Sequence, residues 1–300
     1  MTYVATLISN PAAPALDAGV LRRARDVLYA AQEPVWLDPG IAAEIVFTPG
    51  ADSDRRGVSD ILRATFANEP IDIVVQRTGN RRKKLFLADM DSTMIGQECI
   101  DELADFAGHK TRIAAITARA MRGEIAFEPA LRERLALLKG LPVSSIDEVI
   151  TKRITLTPGA RTLVATLRAN GAHTCMVSGG FTLFTDRIAA MIGFDESRAN
   201  TLLLDEEKLS GAVKEPIFGR ESKRAALIEL RERLRLKKED TLVAGDGAND
   251  MDMIAEAGLG AAYHAKPAVA AMADARIDHG DLTALLYAQG YKREEFVTRD

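Results

Sequence analysis

The stretch LFLADMDSTMIGQE, residues 85–98, joins an apolar run directly to two carboxylates. The run LFLA predicts a buried strand, and Asp89 and Asp91 follow at its carboxyl end. Burying a carboxylate costs free energy unless a cation or a metal ion compensates its charge. The stretch therefore predicts a strand that brings two aspartates into a site where other parts of the chain supply positive charge.

Two later apolar runs end in a similar way. HTCMV, residues 173–177, is followed by SGG, and TLVA, residues 241–244, is followed by GDGAND. Each polar segment taken alone is common in unrelated loops, whereas the three in order behind apolar runs are far more specific. Because ligands of open parallel sheets bind outside the carboxyl ends of the strands, the three ends are expected to meet at one site.

Four carboxylates would converge at this site, those of Asp89, Asp91, Asp246 and Asp250. Carboxylates packed together repel one another, and some stay protonated unless a cation lies among them. A set of oxygen ligands suits Mg²⁺, which keeps water molecules and substrate oxygens as further ligands. The predicted cofactor is therefore Mg²⁺.

The order of apolar and helical segments after residue 85 predicts the fold class. Apolar runs alternate with helical stretches, which favours an α/β fold with a Rossmann-like parallel sheet core over residues 81–300. Residues 98–155 are rich in Ala, Arg, Leu and Glu and show no strand pattern. They predict a helical insertion that can close over the site as a cap. Residues 200–214 predict a β-hairpin.

Residues 1–80 follow a different pattern. Strands are predicted at 3–9, at 71–76 and in PVWLD and AAEIVFT, and helices at 15–31 and 54–67. The order strand, helix, strand, strand, helix, strand is that of an α+β ferredoxin-like module. Residues 1–80 are therefore predicted to form a separate N-terminal domain.

Composition and charge exclude several classes of protein. The formal net charge of −4 argues against nucleic acid or an anionic membrane surface as a partner. No apolar segment is long enough to span a bilayer, and the N-terminus is a poor signal peptide because no Lys or Arg precedes its apolar run. Cys175 is expected in the core, partial accessibility is left open for Cys99, and no CxxC pair is present. The expected location is the cytoplasm.

The motifs DMDST, VSGG and GDGANDMDM, with a lysine before the last of them, resemble the four motifs of the haloacid dehalogenase superfamily. Three further segments, ECIDELADFAG, MRGEIAFEPALRERLALLKGLP and GDGANDMDMIAEAGLGAAYHAKP, resemble the branch that acts on O-phospho-L-serine, and the resemblance covers about residues 83–290. Residues 1–80 are similar to the ferredoxin-like (ACT-like) extension of some bacterial members. The resemblance implies Mg²⁺-dependent hydrolysis of phosphoserine to L-serine and phosphate through an aspartyl-phosphate, the last step of L-serine biosynthesis.

The resemblance also implies the catalytic residues. Asp89 would be the nucleophile that takes up the phosphoryl group, and Asp91 would protonate the leaving serine oxygen and then activate water. Lys223 matches the motif lysine and would balance negative charge on the phosphoryl group. Lys214 is the alternative lysine, but it lies in the predicted hairpin.

Metal and phosphoryl ligands follow from the same motifs. Asp89 and Asp246 would bind Mg²⁺ through their side chains and Asp91 through its backbone carbonyl, with Asp250 as a further ligand, direct or through water. The phosphoryl oxygens would be held by a second set of groups, namely Ser178, the N–H of Gly179, Lys223 and Asn249. The helix expected after the SGG segment would add its N-terminal dipole to this set.

Recognition of an amino-acid head needs a partner for each of its charges. The resemblance implies that Glu98 receives the ammonium group, that Arg134 pairs with the carboxylate, and that Phe127 forms an apolar wall. Phe127 and Arg134 are seven residues apart, so they share one face of a helix if that helix is continuous. The segment departs from the family pattern at Ala130, where a serine is expected.

Two other functions remain as alternatives to phosphoserine hydrolysis. The chain could act on another small phosphomonoester, because the motifs serve the phosphoryl group and not the leaving group. It could instead be a regulatory protein whose N-terminal domain senses an amino acid, although all four motif positions are intact. The expected partner is a small-molecule substrate, and formation of a homodimer is left open.

Overall fold

The computed structural model describes residues 2–50, 54–121 and 124–298. The strands in these ranges are β1 (Tyr3–Ser9), β2 (Val35–Asp38), β3 (Ala42–Phe47), β4 (Ile71–Arg77), β5 (Leu85–Ala88), β6 (His173–Phe181), β7 (Glu196–Asn200), β8 (Leu202–Asp205), β9 (Lys208–Val213), β10 (Thr241–Gly245), β11 (Leu259–Tyr263) and β12 (Ala275–Ile277). The α-helices are α1 (Ala18–Asp26), α2 (Arg55–Thr65), α3 (Cys99–Phe106), α4 (Lys110–Met121), α5 (Phe127–Ala136), α6 (Ser144–Arg153), α7 (Ala160–Ala169), α8 (Thr182–Ile192), α9 (Arg220–Arg233), α10 (Met251–Glu256), α11 (Pro267–Met272) and α12 (Ala284–Ala288). Over the described ranges, every helix is too short or too polar to cross a membrane.

One sheet of ten strands, in the order β2-β3-β1-β4-β12-β11-β10-β5-β6-β7, organises the molecule. The six strands from β12 to β7 run parallel, with Leu85 of β5 opposite Thr241 on one side and His173 on the other. The first four strands are antiparallel to one another. The prediction of an α/β fold with a Rossmann-like parallel sheet is confirmed.

The central strand β5 is apolar throughout because both of its faces are covered. Its four residues are fully buried. Phe86 and Ala88 point into the hydrophobic cluster that includes the insertion helices, whereas Leu85 and Leu87 point into a second cluster on the opposite face. A continuous apolar run is the pattern expected of a parallel strand between two helical layers.

Helices α3 to α6 occupy the region between β5 and β6 for which a helical insertion is predicted; residues 122 and 123 of this region lie outside the described residues. The hairpin β8–β9 is also observed, and its backbone is bonded to the insertion. The N–H of Gly140 donates to the carbonyl of Leu209 at 2.8 Å, and the N–H of Leu209 donates to the carbonyl of Leu141 at 2.9 Å. Backbone hydrogen bonds therefore join the hairpin to the insertion.

The N-terminal residues show the predicted element order β1-α1-β2-β3-α2-β4. The prediction of a helix over 15–31 is too long, since α1 spans Ala18–Asp26. Asp17 caps its start by accepting a hydrogen bond from the N–H of Val20 at 2.8 Å, and the helix has ended by Val27. A capping aspartate accepts a hydrogen bond from an N–H of the first helical turn and so marks the start of the helix. The residues before Asp17 therefore lie outside α1 despite their apolar spacing.

The N-terminal strands and the parallel sheet are joined at a polar junction. Strands β4 and β12 pair antiparallel through Ile73 and Arg276. Beside this pair, the buried carboxylate of Asp72 accepts hydrogen bonds from the backbone N–H groups of residues 278–280, the shortest at 2.7 Å. Three backbone donors directed at one carboxylate tie the two parts of the sheet together.

Both cysteines are free and fully buried. Cys99, whose accessibility the sequence left open, is the first residue of α3 and has its side chain in the core. Burial raises the pKa of the Cys175 thiol to about 12 and that of Cys99 well above its usual value.

Candidate active site

Asp89 leaves the end of β5 at the floor of a cleft of about 550 Å³. Its N–H still bonds the carbonyl of Ala244 on β10 at 3.0 Å, and its own carboxylate accepts from the N–H of Met90 at 2.7 Å. The chain then turns sharply, with Ser92 at a φ of 53°. This turn returns the chain across the strand end, so that Asp91 faces the same cleft.

Lys223 provides the positive charge that the opening stretch requires. Its ammonium lies 2.7 Å from Oδ1 of Asp89 and 2.8 Å from Oδ1 of Asp250, and its side chain is fully buried. Burial lowers the pKa of Lys223, but the carboxylates of Asp250 and Asp89 raise it by more, so that it lies above the usual lysine value. The lysine is therefore charged at neutral pH. Lys214, the alternative, is exposed just beyond β9.

A cluster of three carboxylates fits a divalent cation. Oxygen atoms of Asp89, Asp246 and Asp250 all lie within 4.8 Å of one another. Burial, with the charge of Asp250, holds the pKa of Asp89 well above the usual carboxyl value, and burial raises the pKa of Asp246 to about 6. Lys223 contacts only two of the three, so negative charge remains in excess. Oxygen ligands in this arrangement suit Mg²⁺.

The side chain of Asp91 is bonded to two neighbouring elements. One oxygen accepts the N–H of Cys99 at 2.9 Å, and the other lies 3.3 Å from the hydroxyl of Ser178. Burial raises the pKa of Asp91 to about 7, and the nearby charge of Glu98 acts in the same direction. A carboxyl group with this pKa is present in both protonation states near neutral pH, which suits a group that donates a proton and later accepts one.

The SGG segment is the end of β6 and not a free loop. Its pairing with β7 shifts register between Val177 and Phe181, and the fully buried Ser178 accepts a hydrogen bond from the N–H of Gly180 at 2.8 Å. A Cβ at position 180 would lie 3.0 Å from the Ser178 hydroxyl and 3.2 Å from a carboxylate oxygen of Asp91. Glycine at position 180 therefore leaves room for the Ser178 hydroxyl and the Asp91 carboxylate to lie close to each other. Helix α8 begins directly after this segment.

Groups suited to an amino-acid head line the upper part of the same cleft. They include Glu98, Phe127 and Arg134. Phe127 and Arg134 share the continuous helix α5, which is the condition set above for a common face. Glu98 accepts a hydrogen bond from Ser92 at 2.7 Å, and Arg134 donates to the carbonyl of Ala130 at 3.2 Å.

The two arginines of α5 differ in their surroundings. Arg132 pairs with the exposed Glu128 and Glu215 outside the cleft. Arg134 points into the cleft, where burial lowers its pKa and the charge of Asp101 opposes this effect. Its guanidinium thus faces the space where an anionic group of a ligand would lie.

Asn249 completes the set of residues named from the sequence. Its amide lies 3.5 Å from Oδ2 of Asp89, and it lines the cleft. Eight of the eleven predicted residues therefore line the cleft. The other three, Ser178, Lys223 and Asp250, are fully buried directly beside it and contact Asp91, Asp89 and Lys223, respectively.

A family model of haloacid dehalogenase-like hydrolases matches residues 83–258. The chain belongs to this family. It is 47% identical over 208 residues to a phosphoserine phosphatase of Polaromonas sp., with 68% of this chain and 88% of the relative covered. It is 41% identical over 248 residues to a probable phosphoserine phosphatase of Schizosaccharomyces pombe, covering 82% of this chain and 83% of the relative. The predicted superfamily is confirmed.

Solved structures agree with this assignment. A haloacid dehalogenase family hydrolase of Salmonella enterica serovar Typhi superposes with a TM-score of 0.86 at 27% identity, covering 96% of this chain and 98% of the other. A probable phosphoserine phosphatase of Vibrio cholerae has a TM-score of 0.77 at 28% identity, covering 98% and 88%. A substrate-bound phosphoserine phosphatase has a TM-score of 0.64 at 38% identity, covering 68% and 97%.

Three residues without a predicted role also belong to the site. Thr93 donates to Asp246 at 3.1 Å, and Asp101 and Lys266 line the cleft. The sequence carried a signal for each of them. Thr93 belongs to the DMDST motif, Lys266 to the quoted segment that ends in AKP, and Asp101 lies one helical turn beyond Glu98.

Proposed function

We propose that this protein hydrolyses O-phospho-L-serine to L-serine and inorganic phosphate through an aspartyl-phosphate on Asp89. One observation carries the proposal. Glu98 and Arg134, a carboxylate and a guanidinium, line the same cleft as Asp89, whose carboxylate is paired with the buried Lys223. A phosphate ester without an amino-acid head would offer no carboxylate to Arg134 and no ammonium to Glu98. The loss would be greater at Arg134, which is partly buried, than at the exposed Glu98.

Asp89 and Asp91 divide the chemistry between them. The carboxylate of Asp89 attacks phosphorus, and the serine oxygen leaves with the proton of Asp91. Asp91 then takes a proton from water, which attacks the aspartyl-phosphate, releases inorganic phosphate and regenerates Asp89. The pKa of Asp91 near 7 supports both roles, and its hydrogen bond with Cys99 fixes its orientation.

The phosphoryl group is held by groups from three elements. The hydroxyl of Ser178 and the N–H of Gly179 at the end of β6, the ammonium of Lys223 and the amide of Asn249 would bind its oxygens. The N-terminus of α8 adds a favourable dipole. Positioned charge of this kind is the main means by which proteins accelerate phosphoryl transfer.

Mg²⁺ is the proposed cofactor. Asp89 and Asp246 would hold it through their side chains and Asp91 through its backbone carbonyl, while Asp250 would be a further ligand, direct or through water. The ion would offset the charge of the phosphoryl oxygens during transfer. The cluster of oxygen atoms within 4.8 Å and the raised pKa values of Asp89 and Asp246 support this assignment.

The helical insertion would close over the bound substrate. In the closed cleft, Glu98 would bind the ammonium group of phosphoserine, Arg134 its carboxylate, and Phe127 would cover the apolar part. Excluding water in this way strengthens each electrostatic contact inside the cleft.

We further propose that residues 1–80 form a ferredoxin-like (ACT-like) domain and residues 81–300 the phosphatase domain, with residues 98–155 as its cap. The strand order β2-β3-β1-β4 and a hydrophobic cluster made only of N-terminal residues support this division. The proposed location is the cytoplasm, where a small-molecule substrate of this kind is available.

The test is phosphate release from O-phospho-L-serine, compared with phosphoethanolamine and p-nitrophenyl phosphate, with Mg²⁺ and with EDTA. We expect the highest kcat/KM for phosphoserine, loss of activity in EDTA, and no turnover by Asp89→Asn. Equal kcat/KM values for the three esters would contradict the assignment of the substrate. Turnover near wild type by Asp89→Asn would contradict the assignment of the nucleophile.

A further inference from the structure

Asn200, the last residue of β7, has a buried side chain that joins two separate segments of the chain. Its amide nitrogen donates to the carbonyl of Gly179 at 2.9 Å and to the carbonyl of Phe218 at 3.0 Å. Its amide oxygen accepts from the N–H of Phe218 at 2.6 Å. Both amide hydrogens and the oxygen are therefore used, and every partner is a backbone group.

The two segments carry different parts of the phosphoryl site. Gly179 directly follows Ser178 at the end of β6. Phe218 directly precedes Gly219, the residue that caps α9, and the N–H of Lys223 bonds the carbonyl of Gly219 at 3.0 Å. The amide of Asn200 thus sets the separation between the segment bearing Ser178 and the helix bearing Lys223.

The same two segments approach the helical insertion at one point. A Cβ at Gly179 would lie 3.6 Å from Cζ of Phe127, and a Cβ at Gly219 would lie 3.5 Å from Cε1 of the same ring. The ring of Phe127 therefore lies over one glycine from each segment. Phe127 is nevertheless 43% exposed, so these two segments cover its ring only in part.

We infer that Asn200 is a positioning residue for phosphoryl transfer. We also infer that the two glycine segments it joins form one packing surface for Phe127 of the insertion. This inference rests on the proposed function. A substitution that removes the amide frees two carbonyls and one N–H, so both segments can shift. A shift of about 1 Å at positioning groups can reduce turnover by about 100-fold.

The experiment compares Asn200→Ala with Gln289→Ala. Gln289 is an equally buried amide that bonds the N–H of Lys83 and the carbonyl of Leu285, each at 2.8 Å, outside the cleft. The measurements are the melting temperature, kcat and KM for phosphoserine and for p-nitrophenyl phosphate, and competitive inhibition by inorganic phosphate. Both variants should melt at lower temperature, whereas only Asn200→Ala should lose kcat on both esters, by about 10- to 100-fold, with weaker phosphate inhibition.

Wild-type kcat and phosphate inhibition in Asn200→Ala would overturn the inference, because a purely structural amide would affect only the melting temperature. If that variant does not fold, Asn200→Ser, which keeps one donor and one acceptor, is measured by the same criteria. p-Nitrophenyl phosphate keeps the test independent of the substrate assignment. A wild-type protein that does not prefer phosphoserine would contradict the proposed function. The comparison of Asn200→Ala with wild type would still be decided by kcat on p-nitrophenyl phosphate and by phosphate inhibition.

The packing surface for Phe127 is tested by a double-mutant cycle that combines Asn200→Ala with Phe127→Ala. Residues that act through one shared structure give non-additive effects. We expect Phe127→Ala to reduce kcat/KM for phosphoserine less in the Asn200→Ala background than in wild type. Equal reductions in the two backgrounds would show that Phe127 does not depend on the segments joined by Asn200 and would overturn this part of the inference.

Discussion

Replacing Lys223 with methionine should weaken the folded state and the chemistry together. The substitution keeps the volume of the buried side chain and removes the ammonium group. In the structure this group lies 2.7 Å from Asp89 and 2.8 Å from Asp250, and none of the lysine side chain is exposed. Lys223→Met therefore leaves two buried carboxylates without their cation.

The loss of stability can be worked out from this geometry. The carboxylate oxygens of Asp89 and Asp250 lie within 4.8 Å of each other, so their repulsion is at least about 3.5 kcal/mol at an effective dielectric constant of about 20. Removing one partner of a buried ion pair costs about 3–5 kcal/mol in other proteins. We expect the free energy of unfolding in EDTA to fall by about 3–4 kcal/mol, part of the repulsion being relieved when a carboxylate binds a proton.

The assay is equilibrium unfolding in urea, with EDTA and then with Mg²⁺, beside turnover of phosphoserine. Lys214→Met is the matched control, because this lysine is exposed and should change stability by less than about 0.5 kcal/mol. Mg²⁺ should recover part of the loss in Lys223→Met, since a second cation partly neutralises the carboxylates. Turnover should still fall by about 10²–10³ in kcat. A loss of stability below about 1 kcal/mol, the scale of an exposed pair, would refute the reasoning.

Three other predictions follow from separate parts of the molecule. Arg134→Ala should reduce kcat/KM for phosphoserine far more than for phosphoethanolamine, which lacks the carboxylate, by an amount worth about 2–5 kcal/mol. Asp72→Ala should lower the free energy of unfolding in urea by about 2–4 kcal/mol, because the backbone N–H groups of residues 278–280 lose a buried carboxylate acceptor. In native protein at pH 8, thiol reagents should label neither Cys99 nor Cys175, since both are buried and burial raises the pKa of each thiol.

Each of these has a control within the chain. Arg132→Ala removes an arginine from the same helix outside the cleft, and equal losses in the two arginine variants would rule out a role for Arg134 in substrate selection. Asp60→Ala removes an exposed carboxylate, and a similar change in Asp72→Ala would show that the Asp72 carboxylate adds nothing to stability. Rapid labelling of the native thiols, at the rate seen in denaturant, would contradict their burial.

Local pattern predicted much of this molecule correctly. The run of residues 85–88 is buried on both faces, and such strands are apolar without alternation, so β5 could be read directly from the chain. The polar residues after β5 and β10 were expected to meet, because parallel strands present their carboxyl ends at one edge of the sheet. The DMDST, VSGG and GDGAND motifs then identified the site residues. Their chemistry depends on the type of side chain, and the sequence gives that type directly.

Apart from the meeting of the strand ends, contacts between distant segments were not visible in these patterns. The helix predicted over 15–31 is shortened by the cap at Asp17, and the pairing of β4 with β12 depends on how the antiparallel and parallel parts of the sheet meet. Asn200 carries no local signal, since its three partners are backbone groups, which look the same in every sequence. Periodicity and motif chemistry are properties of neighbouring residues, whereas the separation of Ser178 from Lys223 depends on the packing of strands and helices far apart in the chain.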